Sequence, residues 1–316
     1  FINIYTMKRY KIYILTLICL SALFSACSSD DENFKNQSSL EEAIRTAENL
    51  INTTEEGTEE GDFPPGSQER LQGQIDWGKF ILETSKRDDA YANATKIILN
   101  EIEVYKTNLV KGGYPLYGQG SFFSLGKLAD FNINKKFTIE CKVRFKDFGS
   151  SLGNIIAAEA GPGGIILRNN GDVVDAYIND GGWLGGGASI KLELNKWHHL
   201  AFTYSGSKVV LYIDGVVAMS ASGNEGEVKA DDVVNLQVGA NPSYPNRYMN
   251  GNVAYVSIWD YPRTAEEVQS DLNPAFTGTE NGLIAYWPFD VNLGSSILDK
   301  TENYTAKGTL VNWEDK

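Results

Sequence analysis

Between about residues 38 and 110, the apolar positions of the chain repeat with the period of an α-helix. In the first part of this region they recur three, four and seven positions apart, which places them on one helical face. These positions are Leu40, Ala43, Ile44, Ala47, Leu50 and Ile51. Ser39 and Glu42 have the spacing of a capping box, and they predict that the first helix begins at Ser39.

Two more helices are predicted in the same region. Glycine and proline residues interrupt the first helical stripe between positions 52 and 66, where they favour turns. A second helix is predicted from about Ser67 and a third from about Asp88. Their buried positions are Leu71, Ile75 and Leu82 in the second helix, and Tyr91, Ala94, Ile98, Ile102, Tyr105 and Leu109 in the third. Three such helices predict a small antiparallel bundle over residues 38–110, with a spacer role as the default and Trp77 in a core or inter-domain contact.

From Gly112 onwards the period changes from that of a helix to that of a strand. Residues 137–145 alternate strictly, with apolar side chains on one face and polar side chains on the other. Further strands are predicted at 154–159, 164–169, 173–178, 189–194, 197–204, 208–213, 234–239, 253–259 and 283–289. Many short strands separated by turn residues predict an all-β sandwich over residues 111–316. The expected fold class is therefore multi-domain, a helical bundle followed by an all-β domain.

Residues 1–26 have the pattern of a secretory signal peptide. They contain no acidic residue, and Met7 precedes a cationic patch and an apolar run over residues 12–20. This run is shorter than the roughly 20 apolar residues that a membrane-spanning helix needs. The pattern therefore predicts that the protein is exported.

The segment Leu23-Phe24-Ser25-Ala26-Cys27 resembles a bacterial lipobox, although Phe24 stands where that motif usually has leucine. The resemblance implies cleavage before Cys27 and a diacylglycerol on its thiol; an ordinary cleavage site beside an incidental cysteine is the alternative. Acidic residues 30–32 are similar to the signal that sends some Gram-negative lipoproteins to the outer surface of the outer membrane. Residues 27–37 are thus expected to form a lipidated tether at the cell surface, or else a plain solvated one.

Charge and cysteine content narrow the range of partners. The chain has a formal net charge of −13 at pH 7, which makes it a poor partner for nucleic acid and for anionic lipid headgroups. Membrane contact is therefore expected through the N-terminal lipid only. With Cys19 in the signal and Cys27 acylated, Cys141 is the one cysteine left, which excludes a disulfide framework and a C-x-x-C metal site.

Three parts of the β region are similar to the laminin-G-like domains of the concanavalin A-like jelly roll. The segments 196–204 and 209–215 resemble the central hairpin of that family, with Asp214-Gly215 as a favoured hairpin turn. The segments 251–259 and 263–268 resemble its strand-then-helix signature, and 282–290 resembles a further family segment. The resemblance implies a lectin-like jelly roll, but the acidic pair that many members carry is replaced here by Ala254-Tyr255.

The helical region resembles the FIVAR-type three-helix modules that accompany glycan-active domains in extracellular bacterial proteins. Beyond the apolar spacing of the first helix, the residues that carry this resemblance are Gly57, Gly61, Phe63, Pro64, Leu99, Ile102 and Tyr105.

No catalytic motif stands out, so an enzyme is not expected. Glycoside hydrolases of the jelly-roll fold, the enzymatic alternative, need two carboxylates about 5–9.5 Å apart on either side of the scissile bond. Glu140 lies on the polar face of its strand, with no acidic residue two or four positions away. His198 and His199 are neighbours on a strand and point to opposite faces, so they cannot share a metal and are predicted to be structural.

Carbohydrate binding is the leading hypothesis for function. Sugar recognition uses aromatic faces and planar polar groups. The candidate residues are Asp180 and Trp183 in a glycine-rich loop, Arg168 and Tyr177 on neighbouring strands, and Tyr244, Asn246, Arg247 and Tyr248 in a second loop. For each of them a structural or plain surface role is the alternative. A protein-binding adhesion or scaffold module is the alternative function, and protein partners in a glycan-uptake complex are compatible with either.

No cofactor is required by any of these patterns. The resemblance to the jelly-roll family nevertheless implies that a structural calcium ion is worth testing, because members often hold Ca²⁺ through carboxylate and carbonyl oxygens. The residues proposed for it are Asp290, Asp299, Glu302 and Asn303.

Overall fold

The computed structural model describes residues 35–149, 152–160, 163–229 and 234–316. The predicted signal peptide and the lipid-bearing Cys27 lie outside these described residues. Within them, no helix combines the length and the apolar character needed to cross a membrane.

Three long helices precede the strands, as the apolar pattern predicted. They are α1 (Gln37–Thr53), α2 (Ser67–Thr84) and α3 (Asp88–Thr107). The predicted apolar positions converge on one core, formed by Leu40, Ala43, Ile44, Ala47, Leu71, Ile75, Tyr91, Ala94, Ile98, Ile102 and Tyr105. Trp77 packs against this core, as predicted. Leu109 is exposed because it follows the end of α3, and Leu99 of the FIVAR-like spacing is also exposed.

The start of α1 differs from the prediction. The helix begins at Gln37, and Ser39, the predicted N-cap, lies inside its first turn. The residue before the helix, Asn36, is instead tied to the start of α3. Its backbone N–H and its side-chain amide both donate to the carboxylate of Asp88, each at 2.7 Å. The start of α1 is therefore in contact with a residue about 50 positions away, which the local sequence pattern does not reveal.

The remainder of the described chain forms two antiparallel sheets. The strands are β1 (Gly113–Tyr117), β2 (Phe122–Lys127), β3 (Phe137–Asp147), β4 (Gly153–Ala160), β5 (Gly163–Asn170), β6 (Val173–Asn179), β7 (Trp183–Lys191), β8 (Trp197–Tyr204), β9 (Lys208–Ile213), β10 (Val216–Ser222), β11 (Asn235–Val238), β12 (Asn250–Trp259), β13 (Leu283–Pro288), β14 (Ser296–Leu298), β15 (Thr305–Thr309) and β16 (Asn312–Asp315). Sheet A has the order β10-β9-β8-β3-β12-β1-β16, with β13 also paired to β12; sheet B has the order β14-β15-β2-β11-β4-β5-β6-β7. The predicted β-sandwich is confirmed.

The core lies between the two sheets, and β3 shows how alternation builds it. Phe137, Ile139 and every second residue up to Phe145 are fully buried against sheet B. Cys141 is among them, and its burial raises the pKa of the thiol well above the usual range. The residues between them point to the outer face of sheet A, where a short helix, α4 (Ala265–Ser270), covers part of the sheet.

The glycine-rich segment after β6 is a strand and not the predicted loop. The residues from Trp183 to Lys191 form β7, which pairs with β6; the strand predicted at 189–194 therefore begins six residues earlier and ends three residues earlier than expected. Gly185 has a φ of +148°, and a Cβ at this position would lie 1.9 Å from the carbonyl oxygen of Ala176. The glycines therefore permit close approach of β7 to β6, although their low strand propensity indicated a loop.

Candidate functional site

An aromatic pair, the exposed Trp183 and the half-buried Tyr177, stands on the outer face of sheet B, the face directed away from sheet A. Trp183 on β7 is 45% exposed. Its ring lies edge-on to that of Tyr177 on β6, with 6.3 Å between the ring centroids and an interplanar angle of 84°. We call the outer face of β4–β7 around Glu159, Tyr177 and Trp183 the Trp183 surface.

Strand register defines the extent of this surface. Glu159, Gly164, Asn179 and Trp183 are successive cross-strand partners on β4, β5, β6 and β7. Paired residues project to the same face of a sheet, and neighbouring strands lie about 4.8 Å apart. Glu159 and Trp183 are therefore about 14 Å apart along the row. This is an elongated surface and not a closed cavity.

Glycines form part of the floor of the Trp183 surface. Gly185 is the cross-strand partner of Tyr177, and Gly187 is the partner of Asp175. Gly187 is exposed and Gly185 is half-buried, so backbone without side chains lies beside the rings of Tyr177 and Trp183. Gly164, between Glu159 and Asn179 in the row described above, is buried.

Arg168 extends the surface along β5. Its guanidinium lies over the ring of Tyr177 at 5.6 Å from the centroid, and its Nε donates to Asp175 Oδ2 at 3.1 Å. Both Arg168 and Asp175 are largely buried. The ion pair thus holds Arg168 in place while it supports the face of Tyr177. Of the predicted residues, Arg168, Tyr177 and Trp183 are brought together.

The second predicted loop meets the same surface at Glu159. Asn241 Nδ2 donates to Glu159 Oε2 at 2.8 Å, and Arg247 Nη1 lies 3.9 Å from the same oxygen. The guanidinium of Arg247 stacks on the exposed ring of Tyr244, 4.0 Å from its centroid. Arg247 and Tyr244 therefore lie at the β4 end of the Trp183 surface, and Glu159 is a member that sequence patterns did not single out.

The other three candidates have less connected positions. Asn246 is exposed at the tip of the second loop, and Tyr248 is half-buried beside β4, where it bridges to Asn154. Asp180 lies in the turn between β6 and β7, where its carboxylate packs closely against the backbone of Gly226. Among the described residues, no hydrogen bond, ion pair or ring contact joins these three side chains to Tyr177 or Trp183.

The sequence matches one family model over the sandwich. The model is described as the concanavalin A-like lectin/glucanases superfamily (Laminin G 3), and it covers residues 118–269. Residues 118–269 form a concanavalin A-like lectin/glucanase domain. The flanking strands β1 and β13–β16 pair within the same two sheets, so the concanavalin A-like fold extends beyond the matched segment. No curated protein matches the sequence significantly.

The similar solved structures are distant in sequence. A Bacteroides ovatus protein named "putative carbohydrate binding protein" is 17% identical with a TM-score of 0.55, covering 66% of this chain and 60% of its own. This chain thus spans less than two thirds of that protein. Domains LG4-5 of the mouse laminin alpha1 chain are 19% identical (TM-score 0.37; 48% and 41% covered). Domain 4 of a GH43 arabinanase from Geobacillus stearothermophilus, in complex with arabinotriose, is 18% identical (TM-score 0.37; 43% and 66% covered).

The residues proposed for calcium do not fit a metal site in the concanavalin A-like domain. The carboxylate of Asp299 accepts hydrogen bonds from the backbone N–H groups of Tyr286, Thr301, Asn303 and Tyr304, and it also accepts from the Thr301 hydroxyl. Asp290 faces Lys316 instead, at 3.5 Å. Within the described residues, no group of three or more Asp, Glu, His or Cys side chains is arranged to hold a metal ion. Asp299 organises the turn before β15, and Glu302 and Asn303 belong to that turn.

A buried polar cluster on the outer face of sheet A escaped sequence analysis. Glu140 Oε2 lies 3.1 Å from His199 Nε2, and Glu140 Oε1 lies 3.2 Å from Arg263 Nε. Arg263 also pairs with Asp271, which follows α4. Tyr255, which stands where many family members have an acidic residue, donates to the carbonyl oxygen of Asp271 at 3.0 Å. The cluster joins β3, β8 and β12 to the segment that crosses over them.

The chemistry of this cluster indicates a structural role in the domain. Burial raises the pKa of Glu140 well above its usual range, and the neighbouring carboxylate of Asp271 raises it further. Two carboxyl groups close together otherwise suggest glycoside hydrolysis. Glu140 and Asp271 are almost fully buried beneath α4, however. A sugar chain therefore has no access to them, and they share Arg263 as their counter-ion.

The histidine prediction is confirmed. His198 points inward, where its Nδ1 lies 2.8 Å from Asp214 Oδ2 and its Nε2 accepts the backbone N–H of Glu193 at 3.0 Å. His199 points to the outer face and contacts Glu140. The two rings thus hold different parts of the sandwich, and Asp214 has the positive φ of 50° expected for its hairpin turn.

The stability of the domain is expected to fall in mild acid because of His199. Burial lowers the pKa of His199 from 6.5 to about 4, and its Nδ1 has no hydrogen-bond partner among the described residues. Between these two pH values the unfolded state binds a proton that the folded state does not. The contribution of His199 is therefore complete above about pH 6.5 and is lost as the pH falls towards 4.

Urea unfolding at a series of pH values checks this expectation. From pH 7 to pH 4, the free energy of unfolding of the wild-type protein should fall by about 3 kcal/mol more than that of His199→Gln. Equal pH dependence in the two proteins would show that another group is responsible.

Proposed function

We propose that the concanavalin A-like domain binds carbohydrate at the Trp183 surface without cleaving it. The observation that carries this proposal is the exposed ring of Trp183, edge-on to the half-buried Tyr177 and beside the glycine backbone of β7. A protein of the same fold is named for carbohydrate binding, but the likeness at 17% identity is one of fold alone. The chemistry of the surface therefore has to support the ligand class.

The Trp183 surface offers the two kinds of contact that sugars need. The apolar C–H face of a sugar ring removes the exposed indole from water when it stacks on it, and aromatic contacts of this kind contribute about 0.5–1.5 kcal/mol beyond area burial. At the other end, Arg247 supplies donors and Glu159 supplies acceptors for hydroxyl groups, and the buried amide of Asn241 holds Glu159 in place. Because about 14 Å separates the two ends, the surface suits an oligosaccharide and not a single ring.

The placement of carboxylates argues against cleavage at this surface. Its two acidic residues, Glu159 and Asp175, lie two strands apart and are displaced by four residues along the strand direction. Their Cα atoms are therefore about 16 Å apart, whereas hydrolysis needs carboxyl groups within about 5–9.5 Å. Each is also held by its own arginine.

Replacement of Trp183 by alanine is expected to weaken polysaccharide binding at least tenfold in Kd. A tenfold loss corresponds to about 1.4 kcal/mol, which is the order of one aromatic stacking contact. The measurement is affinity electrophoresis of the intact protein against plant, mucin and microbial polysaccharides, followed by calorimetry with the polysaccharide retained best.

Phe80→Ala provides the matched control, because Phe80 is 40% exposed on α2 and lies on the helical bundle. It should bind like the wild-type protein. Unchanged retention of Trp183→Ala would refute the proposal for this surface. Failure of the wild-type protein to bind any polysaccharide, with capture of a defined protein partner, would favour the adhesion alternative.

We further propose that the protein is displayed outside the cell by a lipid on Cys27. The lipobox-like segment and the acidic residues 30–32 that follow it support this proposal. The three-helix bundle begins at Gln37, ten residues after Cys27, and separates the tether from the sandwich along the chain. In this arrangement the Trp183 surface is held away from an outer membrane and faces the medium.

A further inference from the structure

A second pocket lies on the outer face of sheet A, on the opposite sheet from the Trp183 surface. It has a volume of about 210 Å³ and aromatic walls, formed by Tyr114, Trp197, Tyr255 and Tyr286. Water occupies about 30 Å³ per molecule, so the pocket has room for about seven water molecules. That space suits one six-membered ring with its substituents and not a longer chain.

The aromatic walls are held in place by their neighbours. Tyr114 and Trp197 meet edge to face with 4.8 Å between centroids, and Tyr255 and Tyr286 do so at 6.0 Å. Arg144 stacks on Trp197 at 4.9 Å from the ring centroid. Its guanidinium is in turn fixed by hydrogen bonds to Asn252 and Glu314. A ligand therefore meets a preformed pocket and does not need to order it.

A cation without a carboxylate partner lines this pocket. Lys142 Nζ donates to the carbonyl oxygen of Leu272 at 3.1 Å and to Asn273 Oδ1 at 2.5 Å. Both acceptors are neutral, and in the described part of the chain no carboxylate oxygen lies within 4.0 Å of this nitrogen. An ammonium group has three N–H donors, so one remains for a ligand.

The environment of Lys142 favours an anion. Partial burial lowers the pKa of Lys142, because the charged ammonium loses contact with water, while the more distant carboxylate of Asp214 acts in the opposite direction. The direct contacts of the ammonium are with neutral oxygens, so an anionic group in the pocket supplies a counter-charge in contact with it. Asp290 is the acidic residue of the rim, and its carboxylate lies 3.5 Å from Lys316, so its charge is already partly compensated.

We infer that this pocket binds a single acidic sugar, a uronic acid residue, with its carboxylate on Lys142 and its ring against the aromatic walls. The side-chain amide of Asn273, beside Lys142, supplies a donor for a hydroxyl group. The inference shares only the class of ligand with the proposed function. It does not require that the Trp183 surface bind a polysaccharide.

The test compares sugars that differ in one group. D-glucuronate and D-galacturonate are titrated into the intact protein by saturation-transfer NMR and calorimetry, next to the corresponding neutral glucose and galactose. The wild-type protein should bind at least one uronate tenfold or more tightly than its neutral counterpart. Lys142→Met keeps the length of the side chain, removes its charge and should abolish that preference.

Four further measurements make the result specific. Lys191→Met, which removes an exposed lysine on sheet B, should leave uronate binding unchanged, and Tyr114→Ala should weaken it without altering a charge. Equal binding of acetate and uronate would overturn the sugar assignment, and equal binding by the wild-type protein and Lys142→Met would overturn the site. Trp183→Ala should retain uronate binding. A failure of the polysaccharide proposal can therefore be told apart from a failure of the uronate proposal.

Discussion

Replacement of Arg263 by alanine is expected to lower the free energy of unfolding of the sandwich by about 3–5 kcal/mol. The guanidinium is only 7% exposed, and it contacts two carboxyl groups, those of Glu140 and Asp271. Its Cζ also lies 3.9 Å from the centroid of the Trp259 ring. The substitution leaves two buried acidic groups without a counter-ion and a gap over the indole.

The desolvation of the remaining carboxyl groups determines the size of this effect. A buried ion pair adds little net stability compared with apolar residues of the same shape, but removal of one partner alone is strongly destabilising. Protonation of Glu140, whose pKa is already raised by burial, relieves part of the cost. The loss for Arg263→Ala should therefore be smaller at pH 5 than at pH 8.

Urea unfolding followed by tryptophan fluorescence measures the effect, because Trp259 and Trp287 are buried in the sandwich. Arg87→Ala is the control: Arg87 pairs with Asp89 on the surface of the helical bundle, and loss of a solvent-exposed ion pair should leave the free energy of unfolding nearly unchanged. Arg263→Lys keeps the charge but lacks the planar fork that reaches two carboxylates, so an intermediate loss is expected. A loss below 1 kcal/mol for Arg263→Ala would contradict the assigned role.

Replacement of Cys27 by alanine is expected to move nearly all of the protein from the membrane fraction to the soluble fraction. A lipid chain contributes about 0.8 kcal/mol for each CH₂ group that it buries in the bilayer. The acidic chain is repelled by anionic headgroups. Retention at the membrane should therefore depend on the acylated thiol.

Cell fractionation and incorporation of labelled palmitate test this expectation together. Cys141→Ala is the matched control, because Cys141 is buried in the core between the sheets and cannot be acylated in the folded protein. It should retain both the label and the membrane location. If Cys27→Ala keeps both the label and the membrane location, a lipid anchor on Cys27 is excluded. The carbohydrate proposal does not depend on this result.

Local patterns predicted much of the β-sandwich. The strands β8 (Trp197–Tyr204) and β9 (Lys208–Ile213) have the predicted bounds, and Asp214 turns the chain with positive φ as expected. Alternation along β3 correctly separated the residues that face the core from those on the outer face of sheet A, although Thr138 and Glu140 on the outer face are buried as well. These features depend on residues close together in sequence, for which strand period and turn chemistry are sufficient signals.

Patterns failed where contacts with distant residues compete with local propensity. Glycines in β7 indicated a loop, yet they are needed because the strand lies close to the backbone of Ala176. The capping box at Ser39 was displaced by the contact between Asn36 and Asp88. In both cases the partner that determines the local structure is not visible in the surrounding sequence.

The candidate sites divide in the same way. Arg168, Tyr177 and Trp183 were accessible to sequence reasoning because exposed aromatic and planar polar residues near turns are distinctive. Their assembly with Glu159 into one face depends on the strand order β4-β5-β6-β7. For the residues proposed for calcium, spacing could not show that backbone N–H groups already donate to the carboxylate of Asp299.

The sequence by itself thus determined the order of the bundle and the sandwich, the inner and outer faces of its strands, and the segment that predicts the lipid anchor. Only the tertiary structure decided that Glu140, His199, Arg263 and Asp271 meet beneath α4. It also decided that Lys142 faces neutral oxygens in an aromatic pocket. The period of apolar and polar residues determines which face of a single strand is buried. These sites, however, form where strands and loops that are far apart in the chain pack against one another.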